Sequence, residues 1–363
     1  MFRIKLTEHP VVYFIKKHWL TIAFLLGFIT DFILLNRVDD TLDNLVLLAY
    51  VILATLSIIG FYLGVAQKVP ERTLRFLNTA APILMQYSFG GLLSGMLIFY
   101  GRSGDLIVSA PFLLLILIVM VANELVKKRS DRLLYNLAVY YTGVFSYLVL
   151  VVPVLIGEMG SIIFIGSGLL SLLVIVGLIK ILSYIIPQYL VLEKRMIVFC
   201  IGSIYVLINC FYFFNIIPPI PLSLTELSIY QQVERTAQGG YRITKENYPW
   251  WRDILPTNDV FKPLPGQGAY CFARVYAPTN LATDIVQRWE YLDGNDVWQT
   301  HFVQTYRITG ENKNGYRGFT MIESIRDGTW RCGVETTRGQ VLGRKTFTID
   351  MKSQPERVVT VVE

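Results

Sequence analysis

The stretch "NIIPPIPLSL", residues 215–224, ends the most apolar part of the chain and decides how the fold is divided. Long runs of Leu, Ile, Val, Phe and Tyr precede it, and short alternating polar and apolar runs follow it. Pro218, Pro219 and Pro221 lack amide hydrogens, so a helix cannot continue through them. The prolines therefore predict a change from membrane helices to a separate β-rich domain.

The composition is typical of an integral membrane protein. The mean hydropathy is +0.47, and 53% of the 363 residues are apolar while 17% are charged. An average soluble chain carries about 25% charged residues. The positive excess belongs to residues 1–217, with 16 Lys and Arg against 11 Asp and Glu, whereas residues 218–363 hold 17 against 16.

Seven apolar stretches reach or approach the roughly 20 residues that a helix needs to cross hydrocarbon. No water is available inside a bilayer, so each stretch must satisfy its own backbone as a helix. The first follows a basic segment and lacks a small-residue cleavage site, which indicates a retained signal anchor. The predicted spans are Trp19–Asn36, Asn44–Val65, Phe76–Tyr100, Leu106–Leu125, Leu133–Ile156, Ile162–Ile186 and Met196–Ile217.

Lys and Arg in the short loops predict the orientation, because cytoplasmic loops carry most of them. On one side of the membrane the loops contain only two basic residues, Arg37 and Arg102, and their other charged residues are acidic. The N-terminus is therefore predicted to be cytoplasmic, and seven crossings would export everything after Pro218. The thirteen basic residues of the other side are Arg3, Lys5, Lys16, Lys17, Lys68, Arg72, Arg75, Lys127, Lys128, Arg129, Arg132, Lys194 and Arg195.

This asymmetry also explains the basic pI without nucleic acid, since positive loops set the topology and contact anionic lipid headgroups. The expected contacts of this part of the chain are therefore with the lipid bilayer.

The exported part, residues 218–363, alternates with the period of two that is typical of strands. Short strands at intervals of about ten residues favour an antiparallel β-sandwich, immunoglobulin-like in outline. Ile220, Leu222 and Leu224 either lie in the membrane interface or begin the first strand, and their alternation favours the strand. The other predicted strands are residues 269–277, 285–292, 297–306, 315–324, 328–337 and 340–349.

The four cysteines divide by compartment. Cys200 and Cys210 lie in the seventh span, where small buried apolar side chains are the expected role. Cys271 and Cys332 point inward in the predicted sandwich and lie in an oxidising compartment, so we predict a disulfide between them. The alternative is two buried free thiols.

A pattern of short motifs recurs along the predicted strands: Tyr270-Cys271-Phe272, Arg288-Trp289 with Tyr291, Tyr316-Arg317, Gly328-Thr329-Trp330, Gly339-Gln340-Val341-Leu342 and Phe347. With this pattern the C-terminal part resembles a family of bacterial membrane proteins that end in a domain of unknown function. Two positions differ from the family pattern, which more often has Trp at Tyr316 and His at Gln287. The resemblance covers about residues 269–349, implies a shared fold and carries no activity. In a bacterial inner membrane, the orientation predicted from the loops would make the exported domain periplasmic.

The sequence contains no pattern for catalysis, a cofactor or a metal. It has three His, and the metal-binding, phosphate-binding and dinucleotide-binding motifs do not occur. His301 is expected to face solvent or to be a satisfied structural residue. These absences predict a protein that is not an enzyme and needs no cofactor.

Two further features are candidates for function. Asp31 lies inside the first span, where an ionisable residue is a functional candidate, although it could also reach the outer surface near Arg37. The aromatic residues of "YPWW", Tyr248, Trp250 and Trp251, could anchor a partner or a sugar ring. Alternatively they cover an edge of the sandwich or dip into the membrane interface.

Polar and small residues inside the spans predict helix contacts. Gln86, Asn136 and Asn209 could bond between helices, and Gly91 with Gly95 permits close approach of two helices. Packing within the bundle is favoured over dimerisation through these glycines.

The leading hypothesis is a non-enzymatic membrane protein whose exported β-domain binds a protein or polysaccharide of the cell envelope. The alternative is a transporter or channel component in which Asp31 lines the path. A third hypothesis, an intramembrane enzyme acting on lipid or glycan, has no positive support in the sequence. The ligand, the oligomeric state and the process served are left open by the sequence.

Overall fold

The computed structural model describes residues 19–35, 40–125, 133–247, 259–278, 281–310, 315–355 and 357–362. Each helix in these ranges overlaps one of the predicted apolar stretches. The helices are α1 (Trp19–Leu34), α2 (Thr41–Val65), α3 (Glu71–Arg102), α4 (Leu106–Leu125), α5 (Leu133–Ile156), α6 (Ser161–Ile185) and α7 (Pro187–Phe213).

Within the described ranges, five helices are long and apolar enough to cross a membrane, namely α2, α3, α5, α6 and α7. The described part of α1 has 16 residues, and the apolar stretch of α4 is Leu106–Met120. By length and composition these five helices could therefore cross a membrane, and the number of seven crossings stays a prediction.

Two helices begin five or more residues before their apolar stretches. α3 begins at Glu71 rather than Phe76, and α7 begins at Pro187 rather than Met196. Proline suits a first helical turn because the N–H that it lacks would have no partner there. In α3, Arg75 donates to Glu71 one turn earlier at 2.7 Å, a spacing that supports helix outside hydrocarbon. The basic residues predicted in these two loops lie within helices instead: Arg72, Arg75, Lys194 and Arg195.

The last helix ends before the proline-rich stretch. α7 ends at Phe213 rather than at the predicted Ile217. Asn215 has a φ of 57°, a left-handed conformation that Asn adopts more readily than most residues. Its side-chain amide donates to the carbonyl oxygen of Arg338 at 3.0 Å, which fixes the chain direction after the helix.

Gly91 and Gly95 bring α3 close to α2. A Cβ on Gly91 would lie 2.4 Å from the ring of Tyr50, and a Cβ on Gly95 would lie 2.7 Å from Leu47. Both neighbours belong to α2, so the two glycines serve packing within the bundle, as expected from their spacing.

Polar residues inside the bundle behave in two ways. Asn136 on α5 donates to the hydroxyl of Tyr62 on α2 at 3.2 Å, which is the predicted bond between helices. Asn209, in contrast, donates to the carbonyl oxygen of Tyr205 in its own helix at 2.8 Å. The expectation for Asn209 was therefore wrong, because its own helix already offers an acceptor one turn away.

The β-rich region has eleven strands within the described residues, in three sheets. The first sheet has the order β1-β5-β8, the second β4-β10-β9-β6-β7 and the third β11-β3-β2. All pairs are antiparallel except β4 with β10. The strands are β1 (Ser223–Tyr230), β2 (Gln232–Arg235), β3 (Tyr241–Glu246), β4 (Val260–Phe261), β5 (Ala269–Tyr276), β6 (Ala282–Leu292), β7 (Trp298–Thr309), β8 (Tyr316–Ile322), β9 (Gly328–Thr336), β10 (Val341–Ile349) and β11 (Val358–Val362).

The six strands predicted after residue 268 correspond to β5 through β10, with ends that differ by three residues at most. The predicted hairpins β6–β7 and β9–β10 form antiparallel pairs. A C-terminal β-rich region is thus confirmed, while its immunoglobulin-like outline stays a prediction.

The first sheet is the middle of three layers, because β5 is buried on both faces. On one face Ala273 and Val275 share a core cluster with Ile285 of the second sheet. On the other face Phe272 packs with Tyr241 of the third sheet, ring centroids 5.5 Å apart. The prediction of a two-sheet sandwich missed this third sheet, whose strands β2, β3 and β11 are short and partly polar.

The residues after the prolines enter the β-rich region. Leu222 is fully buried in the cluster between the first and second sheets, and β1 begins at the next residue. The chain divides into two compact units, and residues 101–110 and 156–159 belong with Asn215–Glu363 in the second. In that unit Asp105 donates its N–H to the carbonyl oxygen of Val341 at 3.3 Å.

Candidate functional site

Asp31 is a fully buried acidic side chain of the helical unit, with no exposed surface. It lies in the last turn of α1. Tyr50 of α2 donates its hydroxyl to Oδ1 at 2.7 Å, and Ser94 of α3 donates its hydroxyl to Oδ2. Three helices therefore meet at this carboxylate, which is turned into the bundle.

Ser94 lies on α3 between Gly91 and Gly95, the two glycines that allow the close approach of α2. This close packing explains how the short side chain of Ser94 reaches Asp31. Its hydroxyl also lies 3.1 Å from the carbonyl oxygen of Gly91. The hydroxyl can therefore donate either to the carboxylate or to the backbone. Such a group can hold a proton at Asp31 while every oxygen keeps a hydrogen-bond partner, because the Ser94 hydroxyl can then accept from Asp31 and donate to Gly91.

The sequence singled out Asp31 but neither of its two partners. Arg37, the predicted surface partner, lies outside the described residues. The spacing of Gly91 and Gly95 predicted close packing of helices around Ser94. The same spacing was a signal that the Ser94 hydroxyl contacts a neighbouring helix.

Cys271 and Cys332 are joined by a disulfide that connects β5 of the first sheet with β9 of the second. Trp289 stands opposite Cys332 in the β6–β9 register. Its indole N–H donates to the hydroxyl of Thr320 in the first sheet at 2.8 Å. Gln287 donates its side-chain amide to the carbonyl oxygen of Cys271 at 3.1 Å, so three bonds fasten the two sheets together.

Strands β6 and β9 of the second sheet carry paired charges. Arg288 donates to Glu335 at 2.6 Å, and Arg331 donates to Glu290 at 2.5 Å, each across β6 and β9. The guanidinium of Arg331 also lies 4.1 Å from the ring centroid of Trp298. These partly buried side chains satisfy one another, which leaves little charge available to a ligand.

His301 lies on β7 and is exposed. Its ring lies 5.2 Å from that of Trp330 and 6.4 Å from that of Tyr291. The contacts are edge-to-face, which agrees with the structural role expected for this histidine.

The feature that sequence reasoning did not single out is the edge strand β7. It has 12 residues and ends the second sheet, where it pairs only with β6. Val303 and Phe302 are 42% and 37% exposed. Arg307 is its one charged residue. Proteins normally protect long edge strands with charges, prolines or covering segments, so β7 is an unusual surface within the described residues.

The turn before β7 is acidic and rigid. The Asp293 carboxylate accepts the N–H groups of Val297 and Asn295 and the amide of Gln299. These bonds hold the pKa of Asp293 below its ordinary value, with Val297 as the largest cause. Asp296 follows in a left-handed conformation with a φ of 58°. The turn therefore places the side chains of Asp293 and Asp296 beside the start of the edge strand.

Tyr248, Trp250 and Trp251 lie outside the described residues, so their role as partner anchors stays a prediction. Among the described residues no group of three or more His, Cys, Asp or Glu could hold a metal ion.

One family model matches the chain, a protein family of unknown function named DUF2914, over residues 282–349. The match begins at the first residue of β6 and ends at the last residue of β10. It contains four of the five strands of the second sheet, including β7, and leaves Cys271 outside. No curated protein and no solved structure matches the chain.

Proposed function

We propose that the chain is a non-enzymatic integral protein of a bacterial inner membrane whose exported β-rich region binds a partner in the cell envelope. The observation that carries this proposal is β7, a long and nearly uncharged edge strand at the end of the second sheet. An open edge offers backbone hydrogen bonds to another strand. Of the two partner classes expected from the sequence, β7 therefore favours a protein over a polysaccharide.

The orientation rests on the charge of the loops. Thirteen Lys and Arg belong to the side proposed to be cytoplasmic, against two on the other side. The segments 101–110 and 156–159 share a compact unit with the β-rich region. Two helices separate the first segment from the second, and two more separate the second from Asn215. Even numbers of crossings keep all three on one membrane side, so α4 and α5 would cross as a pair and α6 and α7 as another.

The first two sheets support the immunoglobulin-like outline. In such domains a disulfide joins the two sheets and a buried tryptophan packs beside it. Here the Cys271–Cys332 bond joins the sheets, and Trp289 is fully buried in the same core cluster. The third sheet is an addition to that plan.

A site-specific crosslinking experiment tests the binding function. A photo-crosslinking residue replaces Val303 on β7 in the full chain, and the control replaces Lys245, which is exposed on β3. Illumination in native membranes is expected to give a protein adduct at 303 and none at 245. Equal adducts at the two positions, or none at either, would contradict the proposal.

Transport is a second candidate function, favoured by the buried Asp31 carboxylate with its two hydroxyl donors. Carboxylates of this kind mark proton and ion pathways in membrane proteins. The variant Asp31→Asn in proteoliposomes is expected to abolish proton or cation flux without loss of folding. The control Asp105→Asn removes a carboxylate outside this group. Flux that is absent in the unmodified protein, or unchanged in Asp31→Asn, would exclude this function.

A further inference from the structure

We propose that two copies of this chain pair through β7, edge to edge and antiparallel, to form one continuous sheet. The inference rests on the proposed binding function and names its partner as a second copy. Three features support it: the direction of the backbone groups of β7, the contrast with the other sheet edges, and the charges at the two ends of the strand.

The backbone of β7 has hydrogen-bonding groups that point away from β6. Gly310 donates its N–H to the carbonyl oxygen of Leu281, and bonded and non-bonded positions alternate from there along an antiparallel pair. Val303, Thr305 and Arg307 therefore direct their N–H and C=O groups outward. The Gln304 side chain reaches the carbonyl oxygen of Thr305 at 3.1 Å, which agrees with this direction.

The other sheet edges differ from β7. The edge strand β4 has two residues and β2 has four, while β1 and β8 carry Glu226 and Arg317. Strand β11 is uncharged, but it has five residues against the 12 of β7. Among the described edge strands, β7 combines the greatest length with a single charged residue, and it is the edge best suited to a long strand pair.

The charges at the ends of β7 favour a second copy as the partner. Arg307 lies near the last residue of the strand, and Asp296 lies in the turn just before its first residue. Both are exposed. An antiparallel pair related by a two-fold axis places Arg307 of one copy near Asp296 of the other, at both ends of the interface. A self-complementary surface of this kind is typical of dimers with two-fold symmetry.

The experiment measures the mass of the full chain in detergent and in nanodiscs. The unmodified protein is expected to contain two chains per particle. Thr305→Pro removes an outward N–H and leaves the β6–β7 bonds in place, so it is expected to give one chain per particle. Thr305→Ala keeps the N–H and is expected to stay dimeric. One chain per particle in the unmodified protein, or two chains in Thr305→Pro, would overturn the inference.

A charge exchange gives a second test that does not depend on proline. Arg307→Asp and Asp296→Arg are each expected to weaken dimerisation at least tenfold, and the double variant is expected to restore it. Failure of the double variant to restore it would contradict the antiparallel arrangement. Resistance of the buried Cys271–Cys332 bond to a mild reductant, measured by alkylation of any thiols released, shows that each variant is folded.

The failure of this inference can be told apart from failure of the proposed function. If Val303 crosslinks to a different protein while the unmodified chain has one copy per particle, a second copy is excluded and envelope binding stands. If Val303 gives no adduct and the chain is monomeric, both are excluded.

Discussion

Cys271 and Cys332 form a covalent bond between the first and second sheets of the β-rich region, across 61 residues of sequence. The bond lies in a core cluster that also contains the buried Trp289 and Trp330. The two sheets are therefore tied at the same place by a covalent bond and by apolar packing.

Removal of this bond should destabilise the β-rich region by about 2–5 kcal/mol, because a cross-link over a long loop restricts the unfolded chain. The paired variant Cys271→Ala with Cys332→Ala tests this in denaturant unfolding followed by tryptophan fluorescence. The matched control is Cys200→Ala with Cys210→Ala, since these two cysteines are free. An unchanged unfolding midpoint in the first pair would contradict the prediction.

Replacement of Gly91 by Ala should loosen the contact of α2 with α3. The new Cβ would lie 2.4 Å from the Tyr50 ring, and overpacking of this kind costs about 1–3 kcal/mol. We expect a lower melting temperature of the full chain in detergent. Gly166→Ala on α6 is the control, because a Cβ there meets no atom within 4 Å. Equal melting temperatures of the two variants would show that the close approach has no energetic role.

Thr320→Val should destabilise the β-rich region by about 1–3 kcal/mol, because it leaves the buried indole N–H of Trp289 without its acceptor. Thr346→Val changes an exposed threonine of β10 and serves as the control. Thermal unfolding of the two variants is the measurement. If Thr320→Val lowers the melting temperature no more than Thr346→Val does, the Trp289–Thr320 hydrogen bond does not contribute to stability.

The turn at Asp293 should contribute stability that depends on pH. Its hydrogen bonds hold the pKa in the folded protein below the ordinary value of 3.8. The contribution is therefore full above that value and is lost as the pH falls through the lower folded pKa. The difference in melting temperature between the unmodified protein and Asp293→Ala should shrink on acidification. A difference for Asp293→Ala that stays constant on acidification would refute the prediction.

The strands β5 to β10 could be predicted from sequence because each is a short run rich in β-branched and aromatic residues that ends near turn residues. The third sheet could not, although β5 held a signal: Tyr270 and Phe272 are as apolar as Cys271, Ala273 and Val275 on its other face. A strand with two apolar faces indicates burial on both sides, and that requires a third layer.

The candidate sites show a similar limit. Asp31 was recognisable because an acid stands out in an apolar span. Its partners Tyr50 and Ser94 were not, since the spans are apolar all round and no face of them marks the interior. The open edge at β7 was hidden as well, because sequence shows that a strand exists but not which strand ends the sheet.

The export of the β-rich region is the central claim, and reporters fused after Glu363 in a bacterial host test it most directly. One reporter is an enzyme that is active only after export, and the other is a fluorescent protein that folds only in the cytosol. We predict an active exported enzyme and no fluorescence. Fluorescence with an inactive enzyme would place this region in the cytoplasm and contradict its export.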